Sequence, residues 1–317
     1  MARIAFALGL AVMVALVIRE GAQSIGRLLA HAGWLLLLLV PLHVVPQLLD
    51  VMGWRALILG PSRISTLFLI ASIREAINRL LPVANIGGEL VGVQLLARQG
   101  ISGTAAVSSV IVEMLLIIFT QYLFLALGLA CLLHIADSIQ ATGALLIGVA
   151  AGVPVIVLLI WLLRSGKFFR AIRSLASRVL GSSARYSSLS RKLADLDTAI
   201  RELTSAHGRL ARAILWQLAG LISGSSETWL ALRWLGHPVS VAAAIALESF
   251  TLAARSLIFF APAGLGVQEA GLIGVGHVLG IGSEVAIALS LAKRMREILF
   301  GLPALAVWQW TTRVKAA

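Results

Sequence analysis

Apolar runs longer than the roughly 18 residues that a bilayer-crossing helix needs recur along this chain, and two are broken by Pro or Gly followed by a carboxylate. The breaks constrain the fold most. One reads Phe259-Phe260-Ala261-Pro262-Ala263-Gly264-Leu265-Gly266-Val267-Gln268-Glu269, with Lys293-Arg294-Met295-Arg296-Glu297 further on. A charged side chain near the bilayer centre costs about 2.5–3.5 kcal/mol even on the lenient insertion scale. Such groups must therefore be paired, hydrated or part of a pathway. With 59% hydrophobic residues, 13% charged residues and a mean hydropathy of +0.97, the chain is too apolar for a soluble domain. It reads as an all-α polytopic membrane protein, a single transmembrane domain over residues 1–317.

The second break has an earlier counterpart. Pro82, Glu89, Gly100 and Ile101 stand at the spacings of Pro262, Glu269, Gly280 and Ile281, offset by 180 residues, and Trp54 matches Trp234 at the same offset. Topology decides what the pattern means. Residues 164–212 hold 11 Lys plus Arg against 3 Asp plus Glu, which the positive-inside rule places in the cytoplasm. Working outward from this basic loop, residues 2–18 form an uncleaved first helix with its N-terminus inside. Residues 31–49, bent by Pro41 and Pro46, return to a cytoplasmic surface segment containing Trp54, Arg55 and Arg63. Residues 64–98 then enter and leave from the cytoplasm as a re-entrant hairpin with its tip near residues 82–88.

Residues 104–134, 141–163 and 213–235 cross fully, residues 239–281 form a second hairpin from the outside, and residues 284–312 run inward. The expectation is about six full spans and two inverted re-entrant hairpins, with a first repeat at 64–134 and a second at 244–312. Broken helices around a midplane site are a transporter design. The hairpin breaks are Pro82, Gly87 and Gly88 in the first repeat, and Pro262, Gly264 and Gly266 in the second.

Each half-helix after a break begins with free N–H groups and a positive dipole end, which favour an anion. Arg74, Arg79, Arg255, Lys293, Arg294 and Arg296 lie on flanking segments and supply cationic donors for a phosphate or similar head group. The same residues also fit a bland account. Glu89 and Glu269 sit in first turns that favour carboxylates with no ligand. Glu75 with Arg79, Arg74 with Asn78, and Lys293 or Arg294 with Glu297 are spaced for pairing within one helix. Glu113 occupies the position equivalent to Lys293, so an acid and a base are placed to face each other across a pseudo-twofold axis. It is a candidate proton or counter-ion site, or a fixed partner for an arginine. His43 reads as a packed or water-facing histidine.

Other chemistries have little support. The formal charge of +12 follows the basic loop, so nucleic acid is not an expected partner. Cys131 is alone, no HExxH, GxSxG or zinc spacing occurs, and neither a metal nor a cofactor is expected. The loop at 164–212 reads as a solvated segment, with an anionic leaflet or a partner protein as other surfaces for it.

Arg79-Leu80-Leu81-Pro82 leading to Gly87-Gly88-Glu89, and residues 261–269, resemble the two signature stretches of the lysylphosphatidylglycerol synthase transmembrane-region family, also called flippase-like membrane proteins. The similarity runs from about residue 5 to residue 312. It implies a bacterial inner-membrane protein that moves a lipid between leaflets, with the hairpins and neighbouring basic residues around the lipid route. The chain carries no soluble acyltransferase-like domain, so the expectation is of a translocating, non-enzymatic member. Its length also resembles the hopanoid-associated branch, which implies a triterpenoid cargo. Partners compatible with this reading are a membrane lipid, enzymes of lipid biosynthesis and a second copy of the chain. Two rivals remain open: an intramembrane lipid-modifying enzyme using Glu89 or Glu269 as acid or base, and a non-transporting scaffold for a lipid-synthesis complex.

Overall fold

The computed structural model describes residues 14–81, 87–135, 184–257 and 266–313, with isolated positions at 11 and between 150 and 161. Every regular element among the described residues is helical. The expected first helix at 2–18, the span at 141–163, and Pro82, Pro262 and Gly264 lie wholly or mostly outside them. So do residues 164–183 of the basic loop.

The first long element, α1, runs over Ala22–Leu57 and is apolar enough to cross a membrane. It corrects the expectation of a short span ending in a surface segment. Residues 33–38 of it are wound as a 3-10 helix just before Pro41. That is where the proline ring would meet the carbonyl of Leu37 in a regular α-helix. The helix then continues to Leu57, and Trp54 is 1% exposed, with the Arg74 guanidinium 4.4 Å from its ring centroid. The indole buries itself on a cation that it helps to shield from lipid.

Two hairpins follow the same plan. In the first, α2 (Ile64–Leu80) is followed by α3 (Gly87–Arg98) and then by the long α4 (Gly103–Ile135). In the second, α7 (Val241–Leu257) leads to α8 (Val267–Val278) and α9 (Ser283–Arg313). The half-helices α2 and α7 have 17 residues each, and α3 and α8, which start and end 180 residues apart, have 12 each. Between the two sets lie α5 (Ala184–Ser205) and α6 (His207–Trp234).

The ends of these helices sort into two groups. Residues from the end of α1, the start of α2, the end of α3 and the approach to α4 line one cavity. Leu57 and Ala213 of that end also pack with Ile200 and Leu203 of α5. The basic stretch is therefore not simply a solvated loop. Its described part is a helix whose apolar residues dock beside α1 and α4. At the other end, Leu129 and Leu132 of α4, Leu235 after α6, and Ile281 and Val285 at the start of α9 share a core. The hairpin of α2 and α3 thus opens toward the basic end, and that of α7 and α8 opens toward the opposite end.

Packing crosses between the halves. Helix α2 lies along α9, while α7 lies along α4, so each half supplies the wall for the other's hairpin. Small residues permit the close approaches, as is common for helices packed in lipid. A Cβ at Gly53 would stand 3.0 Å from Gln217 Cγ and 3.1 Å from the Ala213 carbonyl, and this holds α1 tightly on α6. A Cβ at Gly301 would meet Leu80 Cδ1 at 2.8 Å, which lets α9 receive the tip of α2.

The first hairpin closes most tightly at Gly88. A side chain there would collide with the Arg74 carbonyl and stand 2.8 Å from the Asn78 amide, which itself accepts the Gly88 N–H at 2.9 Å. Gly88→Ala is expected to lower stability by about 1–3 kcal/mol through overpacking. Gly103→Ala, where a Cβ meets nothing within 4 Å, is expected to leave it nearly unchanged. Thermal denaturation in detergent checks the contrast, and equal melting temperatures would remove the packing account.

Candidate functional site

The predicted charged residues converge around the hairpin tips, and all nine have partners. At the first hairpin, Arg74 donates to Glu89 across α2 and α3 and pairs with Glu113 of α4, 2.8 Å away. Asn78 donates to the other oxygen of Glu89 at 3.3 Å. Arg74 and Asn78, expected to pair with each other along one helix face, instead converge on Glu89. A carboxylate at the start of α3 is worth more to two donors on α2 than either donor is to the other.

The second hairpin repeats this arrangement with different atoms. Glu269 accepts the Gly266 N–H at 2.8 Å through Oε2, capping its own half-helix, and its Oε1 accepts from Ser290 at 2.7 Å and Arg294 at 3.0 Å. Gln268 accepts from Arg255 at 2.6 Å and donates to Ser290 at 2.9 Å. Lys293 donates to Glu248, which also accepts from Thr228. The expected confrontation of Glu113 with Lys293 is absent, because each has a closer partner on its own side. The two stand at matching depths all the same. Each is ten residues into its long helix, about 15 Å of rise.

Between the hairpins lies a third group that links the halves. His43 of α1 faces Glu75 at 3.1 Å through Nε2 and Glu227 at 2.9 Å through Nδ1. Arg296 donates to Glu227 at 3.0 Å and also lies against His43. The Phe300 ring closes the group with an edge-on contact to the imidazole, 4.8 Å between centroids. Glu297 completes it. Its carboxylate lies 3.8 Å from Arg79 on the first hairpin, 3.6 Å from Arg255 on the second and 3.8 Å from Arg296. Glu297 thus draws its cations from three helices, and Glu75 is held by His43 of α1. Contacts between helices dominate both acids.

Several of these residues were not among the sequence candidates. His43, Glu227, Glu248, Glu297, Gln268 and Ser290 carry much of the network. A signal existed in the near equality of acids and bases inside the apolar segments, which demands that every acid be counted as a partner. Gln268 and Ser290 bear no charge and gave none. Among the described residues no group of three or more His, Cys, Asp or Glu is arranged to hold a metal.

The arrangement is a largely buried network of cationic side chains and carboxylates around His43. Glu269 and Glu297 are almost wholly enclosed, whereas Arg79 keeps 28% of its side chain exposed. Breaking a buried pair by deleting one partner costs about 3–5 kcal/mol, because the remaining charge loses its counter-ion. Arg74→Met, which strands Glu89 and Glu113 together, is expected to show a loss of that size. Arg79→Met, with a longer and more exposed pair, should lose well under half as much, and Glu113→Gln added to Arg74→Met should recover part of the deficit. Chemical denaturation in mixed micelles provides the ranking, and similar losses for Arg74→Met and Arg79→Met would contradict it.

A family model described as "Lysylphosphatidylglycerol synthase TM region" matches residues 2–304. No curated protein and no solved structure matches the chain.

Proposed function

The chain belongs to the lysylphosphatidylglycerol synthase TM region family, and from that premise we propose that it moves a polar lipid between the leaflets of a bacterial inner membrane by alternating access. In this reading the two hairpins are inverted re-entrant elements. The head group passes between their tips while the tails stay in lipid. The protein acts as a transporter and catalyses no bond change.

The observation that carries the reading is the position of Glu297, shared by Arg79 of one hairpin and Arg255 of the other. A hairpin that withdraws toward its own end loses its hold on Glu297, while the other hairpin keeps one. Two conformations follow, each with one tip arginine released from Glu297. The phosphate of a head group takes the place of the carboxylate at that arginine, which offers a planar, bidentate fork suited to it. Exchange of one anion for another avoids the large cost of leaving a guanidinium bare at membrane depth. Glu113 and Lys293, about 15 Å into helices that cross a hydrocarbon core of about 30 Å, then lie near the midplane on the two sides of the route.

The roles assigned to the candidates follow from this route. Arg79 and Arg255 receive the phosphate in turn. Arg74, Arg294 and Arg296 hold Glu89, Glu269 and Glu227 so that the tips keep their shape, and Lys293 does the same for Glu248. Glu113 neutralises Arg74 during either state. A zwitterionic or anionic head group fits this balance of charges. A polar triterpenoid is the second cargo class that the family resemblance suggests.

The test is leaflet exchange of labelled phospholipids and polar triterpenoids in liposomes carrying the purified protein, with and without a proton gradient, and with product masses recorded. One lipid class should exchange faster than in protein-free vesicles. Glu297→Gln is expected to slow it at least about tenfold, as a loss of about 1.4 kcal/mol in the barrier step requires, while the variant remains folded. Exchange of no lipid under either condition would sink the proposal, and conversion of a lipid to a new mass would replace it with an enzyme.

A further inference from the structure

Away from the tips, at the basic end, the first hairpin opens onto a cavity of about 540 Å³ between the end of α1, the start of α2 and the end of α3. That volume falls within the roughly 300–1,000 Å³ typical of small-molecule sites. The lining has two chemistries. Leu67, Leu96 and Ile101 are buried and make an apolar floor, while Arg55 and Arg63 are exposed at the rim beside the Ser62 and Thr66 hydroxyls and the Gln99 amide.

These arginines differ from those at the tips. Every tip arginine has a carboxylate partner, but neither Arg55 nor Arg63 has one within 4 Å among the described residues. The N–H groups of residues 64–66 at the start of α2 precede its first internal hydrogen bond, from Leu67 to the Arg63 carbonyl, and add donors on the same side. Hydroxyls, an amide, two guanidinium groups with no carboxylate beside them among the described residues and an apolar floor suit an anion with a short hydrocarbon part. Two planar forks favour phosphate oxygens over a single point charge.

We infer that this cavity is a binding site for a phosphate ester, with Arg55 and Arg63 on the phosphate and Leu67 and Leu96 under its glycerol or acyl portion. The chemistry is shared by a phospholipid head group and by a soluble phosphate ester, and it does not depend on transport through the tips.

Native mass spectrometry of the full chain in detergent tests the inference with three probes: dihexanoyl phosphatidylglycerol, dihexanoylglycerol and glycerol 3-phosphate. The phospholipid is expected to bind with one saturable equivalent and dihexanoylglycerol not to bind. The Arg55→Gln/Arg63→Gln variant should bind the phospholipid at least about tenfold more weakly. Ser62→Trp, which fills the cavity and keeps both arginines, should weaken it as well and guards against a folding defect in the double variant. Arg209→Gln/Arg212→Gln removes the same charge from exposed positions at the start of α6 and should bind like the parent. Displacement of the phospholipid by glycerol 3-phosphate at equal concentration would identify a soluble ester as the natural ligand, and its failure to displace would identify the lipid. Equal binding of dihexanoylglycerol, or equal losses in the two arginine pairs, would overturn the site. Binding is read without transport, so a flippase assay that fails leaves this result standing, and the reverse also holds.

Discussion

A guanidinium or carboxylate inside an apolar protein cannot rely on water, so each must find its opposite, and the helices here are placed where those encounters occur. The hairpin tips illustrate the rule. Free backbone ends at a helix break would be costly in lipid, and Glu269 closes its own break by accepting the Gly266 N–H while binding Arg294. In the first hairpin Asn78 secures the backbone by accepting the Gly88 N–H, while Glu89 holds Arg74 and Asn78. At the second hairpin a single carboxylate thus secures both the backbone of one half-helix and the position of its neighbour.

The pairs divide into two sets with different consequences. Arg74 with Glu89 and Glu113, Lys293 with Glu248, and Arg294 with Glu269 lie within one half of the chain and hold each hairpin in shape. His43 with Glu227, Arg296 with both of these, and Glu297 with Arg79 join one half to the other. The first set is short and enclosed. The second includes the long contacts of Glu297, and these are the ones that a relative movement of the halves would trade. Rigidity and exchange are therefore assigned to separate residues, although all of them lie within a few turns of one another.

Much of the fold was legible because lipid permits so few backbone solutions. Apolar runs gave α4 and α9, and the 180-residue offset of Glu89 from Glu269 marked the second half-helices α3 and α8, whose bounds match at that offset. The positions of Arg74, Arg79, Arg255 and Glu269 near the tips followed from the breaks. Their partners did not. Helical spacing nominated Glu75 for Arg79 and Glu297 for Lys293, but inter-helix contacts supplied closer geometry, and a sequence read one helix at a time cannot see them. Trp54 was misplaced for a related reason. An aromatic residue near a helix end resembles an interface anchor until the cation it covers is known. The docking of α5 was equally hidden, since its polar composition suits a solvated loop as well as a helix with one apolar side.

The crossed packing of the halves has a consequence for biogenesis. Helix α2 rests on α9, which leaves the ribosome on the order of 10–40 s after the first hairpin at about 5–20 residues per second. During that interval Arg74 already has Glu89 and Glu113 and Glu75 already has His43, all within the nascent first half, but Arg79 has no Glu297 from α9 to meet. The newly inserted hairpin must wait with part of its charge facing water or a chaperone, and the arrival of Arg296 and Glu297 would then lock the two halves into a single unit.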